Sequence, residues 1–245
     1  MPGRGKGIKR RAGGPTAENT KRKKNFNQDP GEIVDILSGH DGAEPSSSDS
    51  EVWVFGDSLV RWAGERYGSK SINNADHKVI WDGKSETRSE ELKSAIQRGL
   101  LKGYKPSVII IHVGGNNVSS ANTCKIISIV SKALKYLFSV FLNSIVVWTD
   151  ILPRFNWRGT PNTLASAKMM DLKRKRINRK LKQTILQYEM GRALNHQNIN
   201  RNNPHFYRPD GIHLSDHDND AYLSKMMIAI STFTRDNSCK SLNMG

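Results

Sequence analysis

From residue 51 onward, short apolar runs alternate with amphipathic helical patterns, and this alternation constrains the fold more than any other feature. Residues 52–55, 78–81, 107–113 and 144–148 are predicted as strands because each run is short and apolar. The strongest, SVIIIHV at 107–113, shows no polar alternation, as expected of a strand buried on both faces. Strands separated by helices imply parallel pairing. We therefore predict an α/β fold, a three-layer α/β/α sandwich around a parallel sheet.

The helical segments are predicted from apolar residues that recur every three or four positions. Leu59, Trp62, Ala63 and Tyr67 form the first such pattern, which stops at Gly68. The later patterns cover roughly residues 92–100, 126–141, 164–190 and 218–233. The last of them follows a loop that begins near residue 191 and is rich in Asn.

Charge and composition divide the chain into three parts. The net charge is +15, and residues 1–24 contribute +8 of it through nine Lys and Arg against the single acid Glu18. Such a composition cannot build a core. We predict a disordered basic tail and linker over residues 1–50, one domain over 51–236 and a C-terminal tail over 237–245.

The cysteines and the apolar content bear on the compartment. Cys124 and Cys239 are the only cysteines and have no CxxC partner, which argues against a disulfide scaffold or a zinc site and fits a reducing compartment. The chain begins without an apolar leader, and its most apolar stretch is shorter than a membrane span. We expect a protein of the nucleus or cytoplasm that is not secreted and has no membrane span.

Three polar clusters follow predicted strands or precede the last helix. Gly56-Asp57-Ser58 follows the first strand, residues 114–117 (GGNN) follow the third, and Asp210 and His213 lie before the last helix. Each cluster alone is better explained as a turn or a helix cap. Together they supply a serine at a strand end, an amide donor and an Asp-x-x-His pair, which are the parts of an acyl-transfer site.

These clusters resemble the conserved blocks of the SGNH (GDSL-like) hydrolases. Residues 54–60 (VFGDSLV) resemble the first block, 114–117 resemble the Gly-x-Asn-Asp block, and 210–213 (DGIH) match the Asp-x-x-His block. Residues 81–83, 150–154 and 208–216 are similar to a subgroup of SGNH domains in animal proteins related to retrotransposons. The resemblance covers about residues 52–235, and it implies the SGNH hydrolase fold with a flavodoxin-like sheet.

The resemblance also implies a serine-esterase mechanism acting on a small acyl ester. Ser58 would be the nucleophile, His213 the general base and Asp210 the residue that orients the imidazole. The oxyanion would be bound by the backbone N–H of Ser58, the side-chain amide of Asn116 and a backbone N–H at the position of Glu86. No cofactor and no metal are implied.

Two residues depart from the family pattern. The second block of the relatives ends in a glycine whose N–H contacts the oxyanion, whereas Glu86 occupies that position here. If the Glu86 carboxylate points inward, we expect it to impair activity; if it points to solvent, the N–H can still donate. The third block ends in Asn117 rather than Asp, a mild change because Asn has nearly the same hydrogen-bonding shape.

The basic segments suggest further partners. Two clusters separated by ten residues are similar to a bipartite nuclear localisation signal read by an import receptor, and they comprise Lys9, Arg10, Lys21, Arg22, Lys23 and Lys24. The alternative is a polybasic arm that binds nucleic acid without specificity. Cations from Lys173 to Lys182 on the predicted helix 164–190 are either a solvated face or a strip that contacts phosphates weakly.

Two functions therefore remain open from the sequence. The first is a serine hydrolase that acts on ester bonds through Ser58, His213 and Asp210. The alternative is a catalytically weakened SGNH-fold module of retroelement origin that binds nucleic acid or protein. The intact Ser58 and His213 favour the hydrolase, whereas Glu86, Asn117 and the basic surface favour the module.

Overall fold

The computed structural model describes residues 50–69, 77–199, 203–236 and 238–244. The predicted basic tail, with its import-signal residues from Lys9 to Lys24, lies outside these ranges and stays a prediction. Six strands and five α-helices alternate along the described chain. The strands are β1 Ser50–Gly56, β2 His77–Gly83, β3 Val108–His112, β4 Ile145–Thr149, β5 Gly191–His196 and β6 Ser241–Met244; the helices are α1 Ser58–Ser69, α2 Leu92–Leu101, α3 Thr123–Val140, α4 Leu164–Ile185 and α5 Asp216–Arg235.

All six strands pair in parallel, in the order β2-β1-β3-β4-β5-β6. This confirms the predicted α/β fold, and the first five strands have the order of a flavodoxin-like sheet. Apolar residues of α2, α3 and α4 cover one face, and those of α1 and α5 cover the other. Trp53 and Val54, adjacent on β1, point into these two separate layers and are both fully buried.

The two strands at one edge of the sheet were not predicted. The sequence predicts a helix up to residue 190 and a loop after it. In the structure α4 ends at Ile185, and the strand β5 begins at Gly191. The predicted tail 237–245 contains β6, which pairs with β5. Neither strand carries the β-branched run that identified the others, since β5 reads GRALNH and β6 reads SLNM.

The register of β2, β1 and β3 brings the carboxyl ends of these three neighbouring strands to one level. Gly56 of β1 lies opposite Gly83 of β2 on one side and His112 of β3 on the other. The segments that follow these residues therefore leave the sheet side by side. Separately, no helix in the described ranges is long and apolar enough to cross a membrane.

Gly83 is required by the close approach of β2 to α1. A Cβ added there would lie 2.2 Å from the backbone nitrogen of Arg61, whereas one added at Gly68 would have no heavy atom within 4 Å. Because helix backbone cannot move aside cheaply, we expect Gly83→Ala to lower the free energy of unfolding by about 1–3 kcal/mol. We expect Gly68→Ala, the matched control, to leave it unchanged or raise it by up to about 1 kcal/mol.

Urea unfolding followed by circular dichroism measures both variants. Equal stability of Gly83→Ala and the wild type would contradict the tight packing of α1 against β2.

Candidate active site

Ser58 lies at the junction of the first strand and the first helix. It is the first residue of α1, two positions after the last residue of β1, and its side chain is almost buried. Asp57 supports the junction, because its Oδ1 accepts the backbone N–H of Leu59 at 3.0 Å and its own N–H donates to the His112 carbonyl at 3.2 Å. The hydroxyl of Ser58 is thereby held at the amino end of a helix, where the dipole favours negative charge.

His213 connects Ser58 to Asp210. The Ser58 Oγ lies 2.9 Å from His213 Nε2, and His213 Nδ1 lies 2.6 Å from Asp210 Oδ2. Because an ionised carboxylate can only accept, Nδ1 carries the proton and Nε2 of the neutral ring accepts from the serine hydroxyl. The structure therefore brings together three residues that are up to 155 positions apart in the chain.

Hydrogen bonds keep Asp210 in its ionised form. Partial burial works to raise the pKa of Asp210, but hydrogen bonds from the His213 side chain and from the backbone N–H groups of His213 and Ile212 outweigh it and hold the pKa below its ordinary value. The two backbone bonds to Oδ1 are 3.0 and 2.8 Å long. The same carboxylate thus shapes the turn and orients the imidazole.

The Asp-x-x-His turn is anchored to the loop that follows β4. Gly211 adopts a φ of +66°, which an L side chain rarely takes. Asn156 donates from its side chain to the Asp210 carbonyl at 3.0 Å and from its backbone N–H to the Gly211 carbonyl at 2.9 Å. The Tyr207 hydroxyl reaches the Pro153 carbonyl at 3.0 Å. His213 is therefore positioned by contacts outside its own segment.

Asn116, which follows β3, is held at both ends of its side-chain amide. Its Nδ2 donates to the Thr87 carbonyl at 3.0 Å, and its Oδ1 accepts from Arg154 Nη1 at 3.2 Å. A guanidinium has donors only, so the amide oxygen must face Arg154. The Nδ2 group therefore faces the opposite side, and one of its two hydrogens remains for another acceptor.

Arg154 is the residue of this site to which the sequence analysis gave no role. Its side chain is 5% exposed, and Nη2 lies 3.5 Å from Asp57 Oδ2. Burial lowers the pKa of the guanidinium, while Asp57 acts in the opposite direction. Gly115 leaves room for it, since a Cβ there would lie 2.5 Å from Nη2. The available signal was an arginine in the loop that follows the carboxyl end of a predicted strand, where ligands bind in such sheets.

Glu86 has the backbone conformation of a glycine. It is the only non-glycine residue with positive φ, at 64°, in the described part of the chain. Residues 84–87 form a four-residue turn, which is closed by a 3.3 Å hydrogen bond from the Thr87 N–H to the Lys84 carbonyl. Glu86 is the third residue of this turn, the position at which a type II turn requires positive φ. Its side chain is 72% exposed and pairs with Arg158. Of the two alternatives left open by the sequence, the carboxylate that points to solvent is the one observed.

Asn117 is fully buried and connects the second and third blocks. Its Oδ1 accepts the backbone N–H of Ser89 at 2.8 Å, and its Nδ2 donates to Glu90 Oε2 at 2.7 Å. An aspartate could not donate to Glu90 and would bring two carboxylates together. Partial burial raises the pKa of Glu90, but the hydrogen bond from Asn117 helps to bring it below its ordinary value. Asn at position 117 can therefore donate a hydrogen bond to the neighbouring Glu90, which an ionised Asp could not do.

A cavity of about 570 Å³ lies directly beside Asn116. It is lined by four cationic residues, Lys84, Arg88, Arg154 and Arg158, and by the acids Glu86 and Glu91. The cavity adjoins the site through Asn116, Arg154 and Glu86, and its lining does not include Ser58 or His213. Among the described residues, no three His, Cys, Asp or Glu side chains come together as a metal site.

Comparison with known proteins gives the fold and no more. No family model matches the sequence, and no curated protein matches it. A candidate acylhydrolase from Bacteroides fragilis superposes with a TM-score of 0.61 at 14% identity, covering 78% of this chain and 90% of that one. A GDSL-like lipase from Bacteroides thetaiotaomicron gives 0.57 at 17% identity, covering 78% and 92%.

A GDSL-family lipolytic protein from Veillonella parvula also gives a TM-score of 0.57, at 16% identity, with 76% of this chain and all of that one covered. At such identities the likeness concerns the course of the backbone. The described domain of this chain has the SGNH hydrolase fold.

Proposed function

We propose that this protein is a serine esterase that hydrolyses small acyl esters. The observation that carries the proposal is the continuous hydrogen-bonded chain from Ser58 Oγ through His213 to Asp210. The hydroxyl adjoins the unprotonated ring nitrogen, and the carboxylate holds the other nitrogen, which is the arrangement that activates a serine. The fold neighbours are esterases and acylhydrolases, which supports the same class of reaction.

In the proposed reaction, Ser58 Oγ attacks the acyl carbonyl while its proton passes to His213 Nε2. The imidazolium that forms is stabilised by Asp210 and returns the proton to the departing alcohol oxygen, leaving an acyl group on Ser58. Water then gives a proton to His213 and attacks the acyl carbonyl, the bond between the acyl carbon and Ser58 Oγ breaks, and His213 returns the proton to Oγ, which releases the carboxylic acid and regenerates free Ser58. Asp210 remains ionised throughout, in keeping with its lowered pKa.

Three donors are proposed to bind the oxyanion: the Ser58 N–H, the free hydrogen of Asn116 Nδ2 and the Glu86 N–H. Glu86 has a positive φ, which a glycine adopts without strain, and its N–H is proposed to take the place of the N–H of the glycine that the resemblance implies at this position. The Glu86 carboxylate is paired with Arg158 and exposed, so its repulsion of a developing anion is screened. This geometry supports the esterase over the weakened module.

Arg154 is proposed as the residue that orients Asn116. Its hydrogen bond to Oδ1 prevents the amide from rotating by half a turn, which would present an oxygen to the oxyanion. It also draws electron density from the amide and strengthens Nδ2 as a donor. The DILPR motif that contains Arg154 is one of the segments similar to the retrotransposon-related subgroup, and we propose that ancestry for this domain.

The serine is tested by covalent labelling. We expect a fluorophosphonate probe to label the wild type at Ser58 only, and Ser58→Ala and His213→Ala to lose labelling because they remove the nucleophile and its base. His217→Ala is the matched control, since His217 is exposed, lies four residues from His213 and should leave labelling intact. Labelling that survives in folded Ser58→Ala, or is absent from the wild type, would contradict the esterase.

The Glu86 turn is tested by two substitutions that both remove the ion pair with Arg158. We expect the free energy of unfolding of Glu86→Gly to exceed that of Glu86→Ala by about 1 kcal/mol, because only glycine takes positive φ without strain. We expect Glu86→Gly to keep kcat on a short aryl ester within about threefold of wild type, since the N–H is retained. A rise of tenfold or more would show that the side chain obstructs the oxyanion.

The role of Arg154 is tested by a double-mutant cycle with Asn116. Arg154→Met is expected to lower kcat by about 10–100-fold, with KM nearly unchanged, as loss of an oxyanion donor does. In the Asn116→Ala background it should lower kcat by less than about threefold, because the donor that it orients is already absent. Equal losses in both backgrounds would mean that Arg154 acts independently of Asn116, which would contradict its role in orienting the amide.

Arg154→Lys is the companion variant, because it keeps a positive charge beside Asp57 in case Arg154→Met fails to fold. Thermal denaturation of each variant separates the effect on stability from the effect on kcat.

A further inference from the structure

A second and larger cavity, of about 820 Å³, lies at the same edge of the sheet but is built from other residues. One wall is helix α4, and the opposite wall is formed by the ends of β4 and β5, namely residues 150–153, 195–197 and 199. Ile151 connects the two walls, because Asn178 exchanges two hydrogen bonds with its backbone and Arg174 donates to its carbonyl at 2.9 Å. The walls are therefore fixed relative to each other.

The cavity is strongly cationic. Five of its lining residues are basic and two are acidic, an excess of three positive charges. Asp171 is already engaged, because it pairs with Arg174 at 2.8 Å and with Lys175 at 2.9 Å. In the described part of the chain, Lys168, Arg179 and Lys182 have no acidic group within 4 Å. Burial raises the pKa of Asp150 to about 6, so this acid is still mostly ionised at neutral pH.

Four of the five basic residues, all except Arg174, do not contribute to the packing of the helix. Lys168, Lys175, Arg179 and Lys182 follow one another at spacings of seven, four and three residues, and so form one stripe along α4. Ile177, Leu181 and Ile185 form the buried face. Like charges three and four residues apart destabilise a helix, and such a stripe facing a concave wall is better explained by an anionic ligand than by solvation.

The length of the stripe indicates which anion. At 1.5 Å per residue, the distance from Lys168 to Lys182 along the helix axis is about 21 Å. One phosphate would engage only part of this length, whereas a backbone with regularly repeated phosphates would engage all of it. A duplex segment as long as the stripe occupies several times the cavity volume of about 820 Å³ and cannot enter it, whereas a single strand can lie along it. We propose that this cavity binds the phosphate backbone of single-stranded nucleic acid, independently of Ser58.

The test compares two charge-matched double variants of the full chain by fluorescence anisotropy with a labelled 12-nucleotide oligo(dT). Arg179→Gln with Lys182→Gln removes two cations that line the cavity. Arg176→Gln with Lys180→Gln removes an arginine and a lysine from the same turns, but these exposed residues do not line it. The basic residues before position 25 are identical in both, so any binding by them cancels from the comparison.

We expect the cavity pair to raise Kd by about tenfold or more and to make the dependence of log K on log[salt] shallower by about 1.4, as loss of two phosphate contacts requires. The control pair should change Kd by less than about threefold, and Ser58→Ala should bind as the wild type does.

Equal effects of the two pairs would overturn the proposal, since they would indicate binding by overall charge. Displacement of oligo(dT) by inorganic pyrophosphate as effectively as by unlabelled oligo(dT), at equal phosphate concentration, would also overturn it in favour of a small-anion site. Neither result depends on esterase activity, so failure here and failure of the proposed hydrolase are separable.

Discussion

The parallel pairing of β1 between β2 and β3 is the constraint on which the rest of the structure depends. It places Gly56 in register with Gly83 and with His112, so that three loops leave the sheet at one level. Those loops carry Ser58, Glu86 and Asn116. Because the side chains of β1 and β3 pack in both buried layers, a slip in register would disrupt the packing of each layer, and the arrangement of the site is therefore coupled to the core.

Polar groups at the carboxyl edge are held by one another rather than by solvent. Arg154 and Asp57 are both buried, and each makes further contacts, Arg154 with Asn116 and Asp57 with the first turn of α1. Deeper in the core, His112 Nδ1 lies 2.6 Å from Thr149 Oγ1, and burial lowers the pKa of His112. Burying such groups is costly unless they are satisfied. The contacts among these groups offset the cost of burying them at this edge.

Sequence reasoning succeeded where one strong local pattern sufficed. The strands β1 and β3 are confirmed because VWVF and SVIIIHV have few alternatives to a buried strand. Short motifs singled out Ser58, Asp210 and His213, which the structure brings within hydrogen-bonding distance, and their catalytic role stays a prediction. Sequence reasoning failed at β5, where Arg192 and Asn195 interrupt the apolar pattern. Arg192 is nevertheless buried, and Ala193 and Leu194 pack on opposite faces of the sheet. Pairing with β4 decides that strand, and pairing is not a local property.

Glu86 and Asn117 show where the sequence stops being informative. The sequence established that a glycine position holds Glu and that an aspartate position holds Asn, but it could not assign the direction of either side chain. The tertiary structure fixes the direction of both side chains. The Glu86 carboxylate is exposed to solvent and pairs with Arg158, and the Asn117 side chain donates to Glu90.

The sequence by itself determined the alternation of strands and helices from β1 to α4 and the residues of the candidate triad, because short-range periodicity and side-chain chemistry are local. The 2.9 Å contact between residues 155 positions apart, the orientation of Asn116 by Arg154 and the cationic cavity of α4 were decided only by tertiary structure, because each depends on distances between segments that no local pattern encodes.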